Sequence, residues 1–196
     1  MKRVALSFSG GKDSNLALYY LLKEGLNVVS LVTTAYKEKG ETVAHDEPLN
    51  KIEKQADELD IPITFIQTDF DSYRVNFIEK LMQLKKEAQI DTIAFGDIYL
   101  AGHREWGEQL ADEAGLHAYY PLWNKQENVG KMLQEFVDLG FKADIIKVDE
   151  AKLPSHWIGR VLDQTFIDDI LKRDVCPMGE SGEYHTFVSA GPTFKK

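Results

Sequence analysis

Residues 5–14 read Ala-Leu-Ser-Phe-Ser-Gly-Gly-Lys-Asp-Ser, an apolar run that ends in a glycine pair. Val4 to Phe8 has the composition of a β-strand, and Ser14 to Lys23 that of a helix stopped by Gly25. Between them Ser9, Gly10, Gly11, Lys12, Asp13 and Ser14 form a strand-to-helix loop. Two glycines permit φ > 0 and a close backbone approach to a ligand. Loop N–H groups and a helix N-terminus together make an anion site. Ser9 and Ser14 add hydroxyls, and Lys12 adds positive charge.

The alternation continues outward from this loop. Asn27 to Thr34 reads as a second strand. Leu49, Ile52, Ala56 and Leu59 recur at helical spacing before a strand over Ile61 to Gln67. Phe70, Tyr73, Phe77, Leu81 and Leu84 form another helical stripe. Asp91 to Phe95 reads as a strand, and a helix follows from Gly102 to Ala114. Repeated βαβ units predict an α/β fold, a parallel sheet with helices on both faces. Ligands of such sheets sit beyond the carboxyl ends of the strands. After Pro121 the rhythm loosens into a helix over Val129 to Leu139, a strand over Ala143 to Val148 and a short helix over Asp163 to Leu171. The expected division is residues 1–120, the α/β domain, and residues 121–196, a smaller C-terminal α+β lobe.

Composition narrows the function classes. The chain has 196 residues, 43% hydrophobic and 28% charged, which excludes a disordered or collagen-like chain. Its formal net charge is −9, which repels phosphate backbones and disfavours bulk nucleic-acid binding. Cysteine occurs once, at Cys176. That excludes an intrachain disulfide and a Cys-only zinc site, and it fits a reducing compartment. No apolar run is long enough to span a membrane, and Gly10 and Gly11 interrupt any signal-peptide core. A cytoplasmic protein is expected.

The loop is not a Walker A motif, which would need Gly at position 6 and Ser or Thr at 13, where Leu6 and Asp13 stand. No G-x-G-x-x-G fingerprint is present either. A tight turn capped by Asp or Ser is the plain alternative. The string Ser-Gly-Gly-Lys-Asp-Ser resembles the pyrophosphate loop of the N-type ATP pyrophosphatases. Those enzymes have an adenine nucleotide alpha hydrolase-like, Rossmann-like fold and cleave ATP between the α and β phosphates. The resemblance implies that Ser9, Gly10, Gly11, Lys12, Asp13 and Ser14 bind ATP. It also implies that Asp13 either holds Mg²⁺ or orders the loop.

Three further strings, over Ile93–Trp123, Gly140–Asp163 and Gly179–Lys196, resemble the diphthine–ammonia ligase (diphthamide synthase) family together with the loop. The most specific is Gly179-Glu180-Ser181-Gly182-Glu183-Tyr184-His185-Thr186 with the downstream Gly-Pro-Thr-Phe-Lys-Lys. Ser181 and His185 depart from the archaeal and eukaryotic pattern, and the His form resembles a bacterial-type branch. The resemblance implies an ATP-dependent ligase that adenylates a carboxylate and transfers ammonia to it. The acceptor would be diphthine on an elongation factor where the host makes it. Thiolation or lysidine formation on tRNA and a nucleotide sensor without turnover are the rivals. The lone cysteine and the acidic charge weigh against the tRNA reactions.

Individual residues carry paired readings. Gly96 and Asp97 follow a strand, so Asp97 either binds Mg²⁺ and nucleotide or caps the next helix. Asp13, Asp97 and Glu183 are the candidate catalytic carboxylates, with Asp13 and Asp97 the candidate metal ligands. Glu180, Gly182, Glu183, Tyr184 and His185 lie in a Gly-rich turn and are candidate acceptor-binding residues; the glutamates alone would read as solvated loop charges. Trp123, Trp157 and Tyr184 are candidate walls for a cationic acceptor, or packed core. Arg104, near His103 and Glu105, either contacts phosphate or forms a helix-surface ion pair. His45, Asp46 and Glu47 suggest either a metal trio or a mobile lid. A homo-oligomer is possible.

Overall fold

The computed structural model describes residues 2–195. Five strands form a parallel sheet: β1 (Arg3–Ser7), β2 (Asn27–Tyr36), β3 (Ile63–Thr68), β4 (Thr92–Ala94) and β5 (His117–Tyr119). Their order is β3-β2-β1-β4-β5. The chain moves outward from β1 to β3, then crosses back to lay β4 on the other side of β1. That reversal opens a crevice between the carboxyl ends of β1 and β4.

Helices α1 (Lys12–Lys23), α2 (Leu49–Leu59), α3 (Tyr73–Glu87) and α4 (Ala101–Glu113) connect the strands. Alternation along β1 sorts the two cores. Val4 and Leu6 join Leu16 and Ile52 on the α1 and α2 face, whereas Ala5 joins Phe77 and Leu110 on the α3 and α4 face. The remainder is α5 (Val129–Asp138), β6 (Lys142–Val148), α6 (Gln164–Ile170) and β7 (Tyr184–Ala190). β6 and β7 pair antiparallel. Phe136, Ile145, Phe166 and Val188 of these elements are buried in the same core as Leu6 and Leu16. The C-terminal segment therefore extends one face of the nucleotide-type sheet.

Three local details differ from the sequence expectations. Phe70 is 95% exposed and precedes α3. The Asp69 carboxylate accepts bonds from the backbone N–H and hydroxyl of Ser72, which closes a turn there and starts the helix at Tyr73. β5 is a strand of only three residues, too short for periodicity to reveal it. Residues 37–48 are tied rather than free. Tyr36 N–H donates to the Glu41 carbonyl, Val43 N–H to the Thr34 carbonyl and Thr42 N–H to the Glu47 carbonyl. These bonds fold the segment back over the end of β2. Among the described residues no helix is long and apolar enough to cross a membrane.

Candidate active site

The glycine pair sits where its backbone must bend. Gly10 has φ +80°, and a Cβ there would lie 2.8 Å from Ile52 Cδ1. Three elements clamp its loop. The Gly10 carbonyl accepts from Val188 N–H of β7 at 3.0 Å, from Gln55 Nε2 of α2 at 3.2 Å and from Asn15 Nδ2 of α1 at 3.2 Å. Lys12 N–H donates to Thr186 Oγ1 at 3.0 Å. Gly11 caps α1, and no side chain caps the first turn. Neither Asp13 nor Ser14 serves as the side-chain cap that the plain-turn alternative calls for. The positive end of a 12-residue helix instead points into the crevice.

A cavity of about 580 Å³ occupies that crevice, lined by Ser9, Lys12, Asp13 and Ser14 from the loop, Gly96 and Asp97 after β4, and Glu180, Gly182, Tyr184 and His185 from the C-terminal turn and β7. Gly96 is needed for close approach, since a Cβ there would meet the Asp13 backbone at 3.2 Å. Lys12 is only 2% exposed. Its Nζ lies 3.0 Å from Asp13 Oδ2 and 4.6 Å from the Tyr184 ring centre. Tyr184 is buried and donates its hydroxyl to the Pro177 carbonyl at 2.6 Å. The ammonium thus rests on an aromatic floor with one carboxylate beside it.

The carboxylates divide into working and structural groups. Asp13 Oδ1 is buried with no hydrogen-bond partner. Asp97 is not a helix cap, because α4 begins after Leu100. Its Oδ1 lies 3.0 Å from His103 Nδ1. Burial raises the Asp97 carboxyl above its usual range, opposed by His103. Glu180 Oε1 accepts from Ile98 N–H at 2.8 Å. Burial, then the charges of Asp13 and Asp97, pushes Glu180 up to about 7 against the pull of that bond. Ligand atoms of Asp97, His103 and Glu180 lie within 4.8 Å of one another. Two carboxylates at this spacing suit a hard cation, and Asp13 lines the same cavity.

Glu183 does not reach the cavity. It is 5% exposed, and its carboxylate accepts from Cys176 N–H at 3.3 Å and Ser181 N–H at 2.9 Å. It holds the turn that presents Glu180. Trp123 also lies outside, stacked under the Arg104 guanidinium at 4.8 Å. Arg104 in turn pairs with Glu108 at 2.7 Å, the helix-surface reading. Trp157 is core, packed edge-on to Phe166, which packs on Tyr184. His45, Asp46 and Glu47 diverge: Asp46 pairs with Lys147 at 2.9 Å, Glu47 with Lys51 at 2.6 Å, and His45 turns into the cavity. Sequence reasoning missed His103 as a partner of Asp97, although the i, i+6 separation across a helix start holds no strong signal. It also missed Thr186, the hydroxyl that anchors Lys12.

The family models and the curated relatives agree on the family. The model of the diphthamide synthase N-terminal domain matches residues 1–118 and that of the diphthamide synthase C-terminal domain matches residues 128–196. Diphthine–ammonia ligase of Homo sapiens is 28% identical over 222 residues, covering 99% of this chain and 81% of that protein. The enzyme of that name from Schizosaccharomyces pombe is 28% identical over 96% of this chain, which spans 34% of its length. Among solved structures, the U34-tRNA thiolase NcsA from Methanococcus maripaludis with its [4Fe-4S] cluster aligns with a TM-score of 0.43 and 19% identity, over 71% of this chain and 57% of that one. Matched over residues 1–118 and 128–196, the chain belongs to the diphthamide synthase family.

Proposed function

We propose that the protein is an ATP-dependent amide ligase of the diphthine–ammonia ligase type. The observation that carries this reading is the convergence of Lys12, the α1 N-terminus and the carboxylates Asp13, Asp97 and Glu180 on one cavity. Family membership adds the reaction class.

An acceptor carboxylate oxygen attacks the α-phosphorus of ATP, and the bond to the β-bridging oxygen breaks. Pyrophosphate leaves into the Ser9–Ser14 loop. There Lys12 and the helix N-terminus meet the charge that develops on it. Ammonia then attacks the acyl carbon of the acyl-adenylate, loses a proton and displaces AMP. Asp97, near His103, is placed to take that proton or hold the nucleophile. Mg²⁺, held by the oxygens of Asp97, Glu180 and Asp13, would neutralise phosphate charge. Ser181 and His185 also line the cavity.

The test supplies ATP, Mg²⁺, ammonium and a diphthine-bearing elongation factor to the full chain. AMP and pyrophosphate should appear together with conversion of the acceptor carboxylate to an amide. Tight ATP binding without AMP under every acceptor tried would replace the ligase reading with a nucleotide sensor.

A further inference from the structure

A second cavity, about 440 Å³, lies away from the first and shares no lining residue with it. It is bordered by His156, Trp157, Arg160, Asp169, Lys172 and Arg173. Arg160, Lys172 and Arg173 face a single carboxylate, Asp169, so two positive charges remain uncompensated in a chain whose net charge is −9. The cations are organised. The Arg160 guanidinium lies 4.5 Å from the centre of the Trp157 ring and that of Arg173 5.6 Å from it. Arg160 Nη2 also bonds Asp169 Oδ2 at 2.9 Å, and Lys172 Nζ reaches Asp169 Oδ1 at 3.4 Å. Stacking on Trp157 thus orders one guanidinium fork before any ligand arrives, which lowers the ordering cost of binding.

We propose that this cleft is a binding site for a compact oxyanion of the phosphate class. Guanidinium forks match phosphate oxygens bidentately, and an ammonium supplies a further donor. A nucleobase gains nothing here. Trp157 is only 2% exposed and its ring is already covered by guanidinium, so no aromatic face is open for stacking. Asp169 is the internal competitor: it occupies Arg160 and Lys172 while the cleft is empty, and an anion must draw them away. Removing its charge should therefore strengthen binding, an outcome that damage to the fold cannot mimic.

Fluorine NMR of the full chain labelled with fluorotryptophan reads the cleft directly. The protein has three tryptophans, and Trp106→Phe and Trp123→Phe assign the Trp157 resonance. Titration with inorganic phosphate, pyrophosphate or AMP at fixed ionic strength should shift that resonance saturably. Arg173→Gln should weaken the midpoint about tenfold or more, and Asp169→Asn should tighten it several-fold. AMP should bind no more tightly than inorganic phosphate. A Trp157 resonance that moves equally with chloride, or midpoints unchanged in both variants, would overturn the proposal. The cations would then serve only to offset Asp169 and the carbonyl end of α6. AMP tighter than phosphate would overturn the compact-anion assignment.

Discussion

The imidazoles of His45 and His185 lie 4.6 Å apart, centre to centre and tilted by 46°, beside the glycine loop. A Cβ on Gly11 would come within 3.2 Å of His45 Cε1, so the pair forms a wall of the cavity near Lys12. Both rings resist protonation. Burial lowers His45 to about 3, with His185, Lys12 and Lys147 adding repulsion against the opposing Asp46. His185 is lowered by burial, then by Lys12 and Lys147. The wall presents neutral nitrogens, one of which, His45 Nδ1, is buried without a partner.

His45 links pH to stability. Its folded value lies below the unfolded value of 6.5, so the unfolded chain binds more protons between about 3 and 6.5. Stability is fully present above 6.5 and is lost as pH falls through that window. At pH 5 the cost is about 1–2 kcal/mol. His45→Gln should flatten the acid limb of a denaturant-midpoint profile between pH 7.5 and 5. An unchanged limb would show that the imidazole is solvated in the native protein.

Glu180 and Glu183 should separate under the same substitution. Glu183→Gln replaces an acceptor oxygen with a donor facing a backbone N–H, at Cys176 or Ser181. A cost of about 1–3 kcal/mol follows from one lost bond and one clash. Glu180→Gln keeps an oxygen for Ile98 N–H and removes a carboxylate that burial disfavours. It should unfold no more easily than the parent at pH 8 yet lose AMP formation. Equal loss of stability in the two variants would sink this division of labour.

Much of this was legible in the chain. The glycine loop, the alternating elements and the C-terminal Gly-Glu-Ser-Gly-Glu-Tyr string pointed to residues that do meet in one cavity. Facing direction was not legible. Glu180 and Glu183 are three residues apart in one turn with Gly179 and Gly182 at positive φ, and backbone N–H groups at Ile98 for one and at Cys176 and Ser181 for the other hold them in different directions. Trp123 and Trp157 were plausible aromatic walls, but Arg104 and Arg160 cover them, contacts set by tertiary packing. The Thr186 anchor on Lys12 joins residues 174 positions apart, beyond any local pattern.

Among the described residues Lys12 is the one cation buried against the loop, and its replacement should strike turnover rather than folding. Methionine can lie on the Tyr184 ring as the lysine stem does, so Lys12→Met should keep a cooperative unfolding transition. AMP formation should fall by about 10²–10³, the scale of one lost preorganised charge donor. Pyrophosphate affinity, measured by calorimetry, should fall with it. Full AMP formation by this variant would remove the leaving-group role from the loop.

A divalent cation should stabilise the free protein through Asp97 and Glu180. Their ligand atoms, with His103, are already within 4.8 Å, and Asp13 lines the same cavity. Bringing Mg²⁺ to these groups relieves repulsion among three carboxylates, so it should raise the melting temperature above that in NaCl of equal ionic strength. At a concentration tenfold above Kd the gain is about 1.4 kcal/mol. Protons compete for Glu180, whose carboxyl titrates at about 7, so the gain should be larger at pH 8 than at pH 5.5. Asp97→Asn should sharply reduce it, because the site loses one of its three carboxylates and the one that lies beside both Glu180 and His103. Equal stabilisation by NaCl, or an undiminished response in Asp97→Asn, would place the cation elsewhere.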